Sequence, residues 1–293
     1  MTAPAERSPT ERVKMTVSQR DAPALAQALT DWLAAQVGAA GRPVISNVRM
    51  PASGGLSSTS LLFDAEWDGP DGPGRGSFVA RMAPEDQAVP VFPRYDLPGQ
   101  FTLIEQVAAR GEVPLPRLRW NQPDGGPLGT AFFVMDQVAG RVPLDNPPYV
   151  FGGWLAEASD DDRAALERDS VAVLAQVHAI AEPAAAFPAL APPAGTTALR
   201  QHVTGQQDYY RWALAADGLR IPIIERGLDW LEQHWPADPG PDVLCWGDAR
   251  IGNIIYEGFT PVAVLDWEMA ALGPRELDLG WFIFLHRFFQ DIA

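Results

Sequence analysis

The pattern of apolar residues changes near residues 136–141, and this change constrains the fold more than any other feature of the chain. Before it, short apolar segments alternate with turn clusters such as DGPDGPGRG, which is typical of strands and hairpins. After it, apolar residues recur at helical spacing, most clearly over residues 163–181. The sequence therefore predicts an α+β chain in which a β-rich region precedes a mostly helical one.

The predicted organisation has three parts. Residues 1–20 lack apolar periodicity and are predicted to form a flexible arm, and residues 21–138 a β-rich lobe that opens with a helix. Residues 139–293 are predicted to form the helical lobe. Its elements are three short strands, VLCW, NIIYE and VAVLDWE, and helices over 163–181, 198–216, 221–235 and 277–290.

Composition excludes several classes of protein. With 47% hydrophobic and 20% charged residues the chain is globular, and a net charge of −15 leaves no basic face for a nucleic acid or an anionic membrane. No apolar run has membrane-spanning length, and the first residues are expected to be neither a signal peptide nor an anchor. The single cysteine, Cys245, predicts a reducing cytoplasm and a small buried side chain.

Two short motifs carry the chemistry of the chain. WGDARIGN contains Asp248 and Asn253, and VLDWE contains Asp266 at the end of an apolar run. Phosphoryl transfer from a nucleoside triphosphate needs one carboxylate for the attacking hydroxyl, and an amide oxygen and a second carboxylate for the metal. The alternative is that Asp248 occupies a tight turn, that Asn253 caps a turn and that Asp266 starts one.

These motifs resemble those of the aminoglycoside phosphotransferase and choline kinase family, which is related to protein kinases, over most of the chain. WGDARIGN looks like its catalytic loop, VLDWE like its metal-binding loop, and GPRELDLGW like the segment whose Asp, here Asp278, supports the catalytic loop. YDLPGQF, VPLP and FFVM are also similar to a bacterial phosphotransferase subgroup and to kinase-like domains fused to acyl-CoA dehydrogenases. The resemblance implies a bilobal protein-kinase-like fold and transfer of the γ-phosphoryl group of ATP, with Mg²⁺, to a hydroxyl.

The resemblance also implies roles for individual residues of the helical lobe. Asp248 would be the catalytic base or would orient the acceptor hydroxyl, and Asn253 and Asp266 would bind Mg²⁺. Arg250 would face the transferred phosphoryl group, or would form a surface salt bridge. Glu268 would lie behind the metal ligands or on the surface.

In the β-rich lobe the resemblance implies a nucleotide site. Arg81 falls where kinases carry a phosphate-pairing lysine, and the only lysine of this chain is Lys14. A structural arginine at a sheet edge would look the same. The glutamate that pairs this cation is not obvious in the sequence: Gln100 replaces it by position, and Glu105 lies one turn further on. The other predicted contacts are the loop residues Gly54, Gly55, Ser57 and Ser58 and the hinge residues Met135, Asp136 and Val138.

Three further expectations concern the second lobe. His178 is predicted to be a hydrogen-bonded core histidine, and Trp246 replaces the usual histidine of the family's catalytic loop. The four scattered histidines do not predict a zinc site. The family continues with several helices beyond the position of Ala293, so the acceptor pocket is expected to be open, to be completed by a partner subunit such as a second copy, or to belong to a truncated form.

The acceptor itself stays undecided at the level of sequence. An aminoglycoside-like molecule suits the acidic composition, whereas the closer resemblance suits a hydroxylated acyl thioester or another small metabolite. A non-catalytic kinase-like module that binds nucleotide is the alternative function.

Overall fold

The computed structural model describes residues 22–50, 58–84 and 90–292. The chain forms two compact units, of which the first comprises residues up to Pro98 together with Arg119–Asp136. The second comprises Gly99–Leu118 together with the residues from Gln137 onward. The predicted arm at residues 1–20 lies outside the described residues, and the predicted lobe boundary at residue 138 stays a prediction.

Most predicted elements are present with shifts of a few residues at their ends. The helices are α1 (Ala22–Val37), α2 (Leu97–Ala108), α3 (Asp160–His178), α4 (Pro183–Ala186), α5 (Ala198–Asp217), α6 (Pro222–Gln233) and α7 (Glu276–Asp291). The strands are β1 (Val44–Arg49), β2 (Thr59–Gly69), β3 (Gly72–Met82), β4 (Leu118–Gln122), β5 (Phe132–Asp136), β6 (Asp242–Cys245), β7 (Ile254–Glu257), β8 (Thr260–Val264) and β9 (Ala271–Pro274).

Helix α3 begins three residues before its predicted start because a cap precedes the apolar pattern. The Ser159 side chain accepts a hydrogen bond from the Asp162 backbone N–H, and acidic residues fill the first turn. Such a cap stabilises a helix by about 1 kcal/mol, and acidic groups favour its positive N-terminal end.

No described helix combines the length and the apolar character needed to cross a bilayer.

The first unit is built on an antiparallel sheet with the strand order β1-β2-β3-β5-β4 among the described residues. Strands β2 and β3 form a long hairpin, paired from Thr59 and Met82 to the turn between Gly69 and Gly72. Alternation along β2 turns Leu61 and other apolar side chains into the core. This core packs against α1, and each fully buried large apolar side chain contributes about 1.5–3 kcal/mol.

The second unit contains two short strand pairs, and one of their strands was not predicted. Strands β7 and β8 form a hairpin, whereas β6 pairs with β9 in antiparallel register, Cys245 opposite Ala271. The β9 sequence ALGP has low strand propensity because it contains Gly and Pro. Its conformation follows from pairing with the buried strand β6, which local sequence does not reveal.

Candidate active site

The loop that carries Asp248 follows β6 through a sharp turn at Gly247. This glycine has φ of 93°, in the region that favours glycine. A Cβ at Gly247 would lie 2.1 Å from the backbone oxygen of Met269, so a side chain cannot be accommodated without displacing the main chain. Residue 247 is therefore glycine because both the backbone conformation and the close approach of Met269 require it.

Asp278, in the first turn of α7, holds this turn in place. Its carboxylate is fully buried. Oδ2 accepts a hydrogen bond from the Trp246 backbone N–H at 2.7 Å and also pairs with Nε2 of His178 at 2.8 Å. Oδ1 accepts a hydrogen bond from the Gly247 backbone N–H at 2.8 Å. A buried carboxylate needs such donors to offset its lost hydration. The contact with His178 matches the predicted hydrogen-bonded core histidine.

The Asp248 carboxylate is held by three side chains. Oδ1 accepts a hydrogen bond from the indole N–H of Trp281 at 2.8 Å. Oδ2 accepts from Nδ2 of Asn253 at 2.6 Å and from Nε of Arg250 at 3.1 Å. The side chain of Asp248 nevertheless remains 20% exposed, so a small molecule can reach it. The structure thus brings together three residues that the sequence assigned to the site, namely Asp248, Arg250 and Asn253.

Asn253 and Asp266 lie at the same end of the β7–β8 hairpin. Ile254 pairs with Val264, and one step further the Leu265 N–H donates to the Asn253 carbonyl oxygen at 2.9 Å. Asp266 follows in the left-handed region, with φ of 58° and ψ of 64°, a conformation that is uncommon for residues other than glycine. Strained backbone of this kind is concentrated at functional sites.

Trp246 links the two motifs, and its replacement of the family's histidine stays a prediction from the sequence. It is 1% exposed, and its indole N–H donates to the Leu265 carbonyl oxygen at 2.8 Å. Its ring centroid lies 6.2 Å from that of Trp267, which follows Asp266. The tryptophan therefore provides an architectural connection between the loop of Asp248 and the segment of Asp266.

Arg250 bridges two carboxylates. Its Nε donates to Asp248, and its Nη1 forms a hydrogen-bonded ion pair with Oδ2 of Asp145. Burial disfavours the charged guanidinium, but Asp248 and Asp145 outweigh burial and raise the pKa of Arg250. Arg250 therefore forms salt bridges next to the candidate catalytic carboxylate, and its role toward a transferred phosphoryl group stays a prediction.

A groove of the second unit opens beside this ion pair. Its lining residues are Asp145, Tyr149, Arg250, Ile251, Gly252, Phe282, Leu285, His286 and Phe289. Burial and the nearby charge of Asp145 raise the pKa of Tyr149 to about 12, although Arg250 acts in the opposite direction. The phenol is therefore neutral at physiological pH and can act as a hydrogen-bond donor.

The structure describes some, but not all, of the residues predicted to bind nucleotide. Gly54, Gly55 and Ser57 lie outside the described residues, whereas Ser58 is buried immediately before β2. Arg81 is 9% exposed on β3, between Ser60 of β2 and Phe133 of β5 in the sheet register.

The hinge candidates lie at and just after the end of β5. Met135 and Asp136 are half-buried, and Asp136 makes a two-point ion pair with Arg119 of β4 at 2.6 and 2.9 Å. Val138 follows in the second unit, and Gln100 is buried on α2. The pairing of Gln100 with the Arg81 cation stays a prediction.

Cys245 is a structural thiol. It is 1% exposed, and its Sγ lies 3.5 Å from the Pro274 carbonyl oxygen. Burial and the negative charge of Asp278 raise the pKa of the thiol above its usual value, so the nucleophilic thiolate is disfavoured. This agrees with the predicted small buried side chain.

The sequence did not identify Trp281, Asp145 or Arg119 as parts of these constellations. Trp281 and Asp145 lie 33 and 105 positions from their partners in the WGDARIGN loop. Trp281 is part of the GPRELDLGW segment, but only the structure shows that its N–H reaches Asp248.

Residues 68–292 match the phosphotransferase enzyme family, and the chain belongs to that family. Among curated relatives, human acyl-CoA dehydrogenase family member 11 is 26% identical over 208 residues, which are 70% of this chain and 25% of the relative. The chain thus spans about a quarter of the length of such relatives. The suggested similarity to kinase-like domains of acyl-CoA dehydrogenases is confirmed.

Solved structures establish the fold. A candidate aminoglycoside phosphotransferase from Ralstonia eutropha JMP134 superposes with a TM-score of 0.61 at 23% identity, covering 87% of this chain and 68% of that one. A thermostable variant of aminoglycoside phosphotransferase APH(4)-Ia, in complex with AMP-PNP and hygromycin B, gives a TM-score of 0.60 at 15% identity, covering 90% and 78%. The predicted α+β, protein-kinase-like fold is confirmed.

Proposed function

We propose that this phosphotransferase is an ATP- and Mg²⁺-dependent small-molecule kinase that transfers the γ-phosphoryl group to an acceptor hydroxyl. The observation that carries the proposal is the Asp248 carboxylate, which is fixed by three donors and still exposed at 20%. A purely structural aspartate in a turn would bond its own neighbouring backbone, whereas the donors here are side chains, two from the same loop and one, Trp281, from α7. ATP is supported by the solved relative that binds AMP-PNP.

The donor set near Asp248 fits a magnesium ion. The Asn253 amide nitrogen is committed to the carboxylate and the carbonyl oxygen of Asp248, so the amide oxygen is the atom left for a cation. The hairpin places Asp266 one residue beyond the Leu265–Asn253 hydrogen bond. Amide and carboxylate oxygens are hard ligands that suit Mg²⁺, which would neutralise phosphate charge when bound. Among the described residues no group of three or more His, Cys, Asp or Glu side chains forms another metal site.

The residues of the chain divide the remaining work. Asp248 accepts a hydrogen bond from the acceptor hydroxyl, orients its oxygen toward the γ-phosphorus and takes its proton as the new P–O bond forms. The bond from the γ-phosphorus to the bridging oxygen breaks at the same time, and ADP leaves. The Arg250 guanidinium, held by Asp145, supplies fixed positive charge beside the transferred group. Catalysis then consists of positioning and electrostatic stabilisation.

We infer that Arg81, Gln100 and the loop with Gly54, Gly55, Ser57 and Ser58 hold the triphosphate, and that the Met135–Val138 segment meets the adenine. Arg81 supports this assignment because it is buried on the central strand β3 and an arginine keeps the positive charge that pairs with phosphate. The single, buried thiol supports a cytoplasmic location. The acidic composition argues against a nucleic-acid partner. A homodimer stays a prediction.

The acceptor is a small molecule with a hydroxyl group. Solved relatives bind hygromycin B and streptomycin, whereas the curated relatives are named for acyl-CoA dehydrogenation, so aminoglycosides, hydroxyacyl thioesters and simple hydroxyl metabolites form the test panel. ADP release from Mg·ATP is the common readout. Turnover of one class identifies the acceptor, and nucleotide binding without turnover on the whole panel would favour a non-catalytic binding module.

Variants at the hairpin test the metal assignment. Asp266→Ala should abolish Mg²⁺-dependent ATP binding in calorimetry, because it removes a charged ligand. Glu257→Ala is the matched control, since Glu257 is an exposed carboxylate at the other end of the same hairpin. Asp248→Asn should retain binding and lose turnover by a factor on the order of 10² or more. Tight Mg·ATP binding by Asp266→Ala would contradict the assigned site.

A further inference from the structure

The Trp281 indole N–H donates to Oδ1 of the Asp248 carboxylate at 2.8 Å. An ionised carboxylate offers about four lone-pair sites, two on each oxygen. In the described part of the chain, Asn253 and Arg250 occupy both sites of the Asp248 Oδ2, and Trp281 occupies one site of Oδ1. The site that remains is the second lone pair of Oδ1, next to the indole.

We propose that Trp281 is a positioning residue of the phosphoryl transfer: its indole N–H fixes Oδ1 of Asp248 as the oxygen that receives the acceptor hydroxyl, and its ring borders that hydroxyl. The inference rests on the proposed function of Asp248. Two fixed oxygens prevent rotation of the carboxylate, so the free lone pair keeps one direction. Orientation of this kind contributes to the rate of the chemical step and not to the binding of nucleotide.

The position of Trp281 supports both parts of this role. Trp281 is in the second turn of α7, one turn beyond Asp278, whose carboxylate holds Trp246 and Gly247. Helix α7 is thus fixed to both ends of the turn that presents Asp248. Trp281 is 36% exposed while it makes this hydrogen bond to Asp248, which leaves part of its ring accessible to a ligand.

The first test compares substitutions that remove or retain the donor. Trp281→Phe keeps an aromatic ring without the N–H. Its kcat with Mg·ATP should fall about tenfold or more. The phosphoryl acceptor in this assay is water or the acceptor found in the panel. The KM for ATP should stay within about twofold, since the indole acts only in the chemical step. Trp281→His restores a ring N–H and should recover part of kcat.

The matched control is Trp230→Phe, the same substitution on an exposed tryptophan of α6. A Trp281→Phe variant with the kcat of Trp230→Phe would overturn the proposal, and so would equal losses in Trp281→Phe and Trp281→His. If the wild-type protein binds Mg·ATP and turns over nothing, the proposed function itself fails, and the role of Trp281 in phosphoryl transfer is overturned with it.

A second measurement is independent of turnover and of the folding of the Trp281 variants. The indole ¹H–¹⁵N resonance of Trp281, assigned through its backbone in the wild-type protein, should move upfield in Asp248→Asn, because a hydrogen bond to a charged oxygen becomes a weaker one. The indole resonance of Trp230 should not move. An unchanged Trp281 resonance would overturn the contact on which the proposal depends.

Discussion

Replacement of Asp278 by asparagine tests how the catalytic turn is held. Asp278 accepts hydrogen bonds from two backbone N–H groups, those of Trp246 and Gly247, on different carboxylate oxygens. An asparagine has one acceptor oxygen, and its NH₂ group must therefore face at least one of these donors. Either orientation of the amide leaves a buried N–H without an acceptor.

The magnitude follows from the number of donors left behind. A buried donor without a partner costs about 1–3 kcal/mol, so Asp278→Asn should destabilise the turn by about that amount. Asp278→Ala removes the acceptors of both N–H groups and also the partner of His178, which raises the expected cost to roughly 2–6 kcal/mol for the backbone groups alone.

Amide hydrogen exchange is the appropriate assay because it reports on this turn locally. The Trp246 and Gly247 amides should be protected in the wild-type protein, and exchange of at least one should accelerate about tenfold or more in Asp278→Asn. Asp291→Asn, an exposed substitution on the same helix, is the control. Unchanged protection of both amides in Asp278→Asn would refute the idea that the carboxylate anchors the loop.

Two further predictions concern stability. Gly247→Ala should lower Tm by about 6 °C or more, because its Cβ meets the Met269 backbone. Gly258 is also at positive φ but faces open space, so Gly258→Ala should lower the free energy of unfolding by only about 1 kcal/mol. Equal Tm values for the two variants would contradict this. The raised pKa of Tyr149 keeps its phenol neutral in the folded state after the unfolded phenol ionises, so this stabilisation is complete below about pH 10 and is lost as pH rises toward 12. Urea unfolding of Tyr149→Phe should show a smaller loss of stability between pH 10 and 12 than the wild type, and identical profiles would exclude the effect.

The sequence predicted those parts of the fold that depend on local patterns. Helix α5 and the β2–β3 hairpin follow from apolar spacing and turn residues, and the structure has both. Strand β9 was missed because Gly273 and Pro274 oppose a strand, and only its pairing with β6 overrides that preference.

The same limit applies to the candidate site. Asp248, Asn253 and Asp266 could be proposed from the sequence because they lie close together in it, in two motifs that flank the β7–β8 hairpin. Asp145 was not, because its contact with Arg250 closes a span of 105 residues and nothing in the local sequence specifies it. Motif spacing identifies residues that share one supersecondary unit, whereas partners from distant segments require the tertiary structure.

The two hydrogen bonds of Leu265 limit what side-chain mutagenesis can reveal about this site. The Leu265 N–H donates to the Asn253 carbonyl oxygen, and its own carbonyl oxygen accepts from the Trp246 indole. Both contacts belong to the main chain of Leu265, so an alanine scan would leave them intact and would score the position as unimportant. Only a backbone change, such as an ester in place of the Leu265 amide, removes the N–H donor that joins the two motifs.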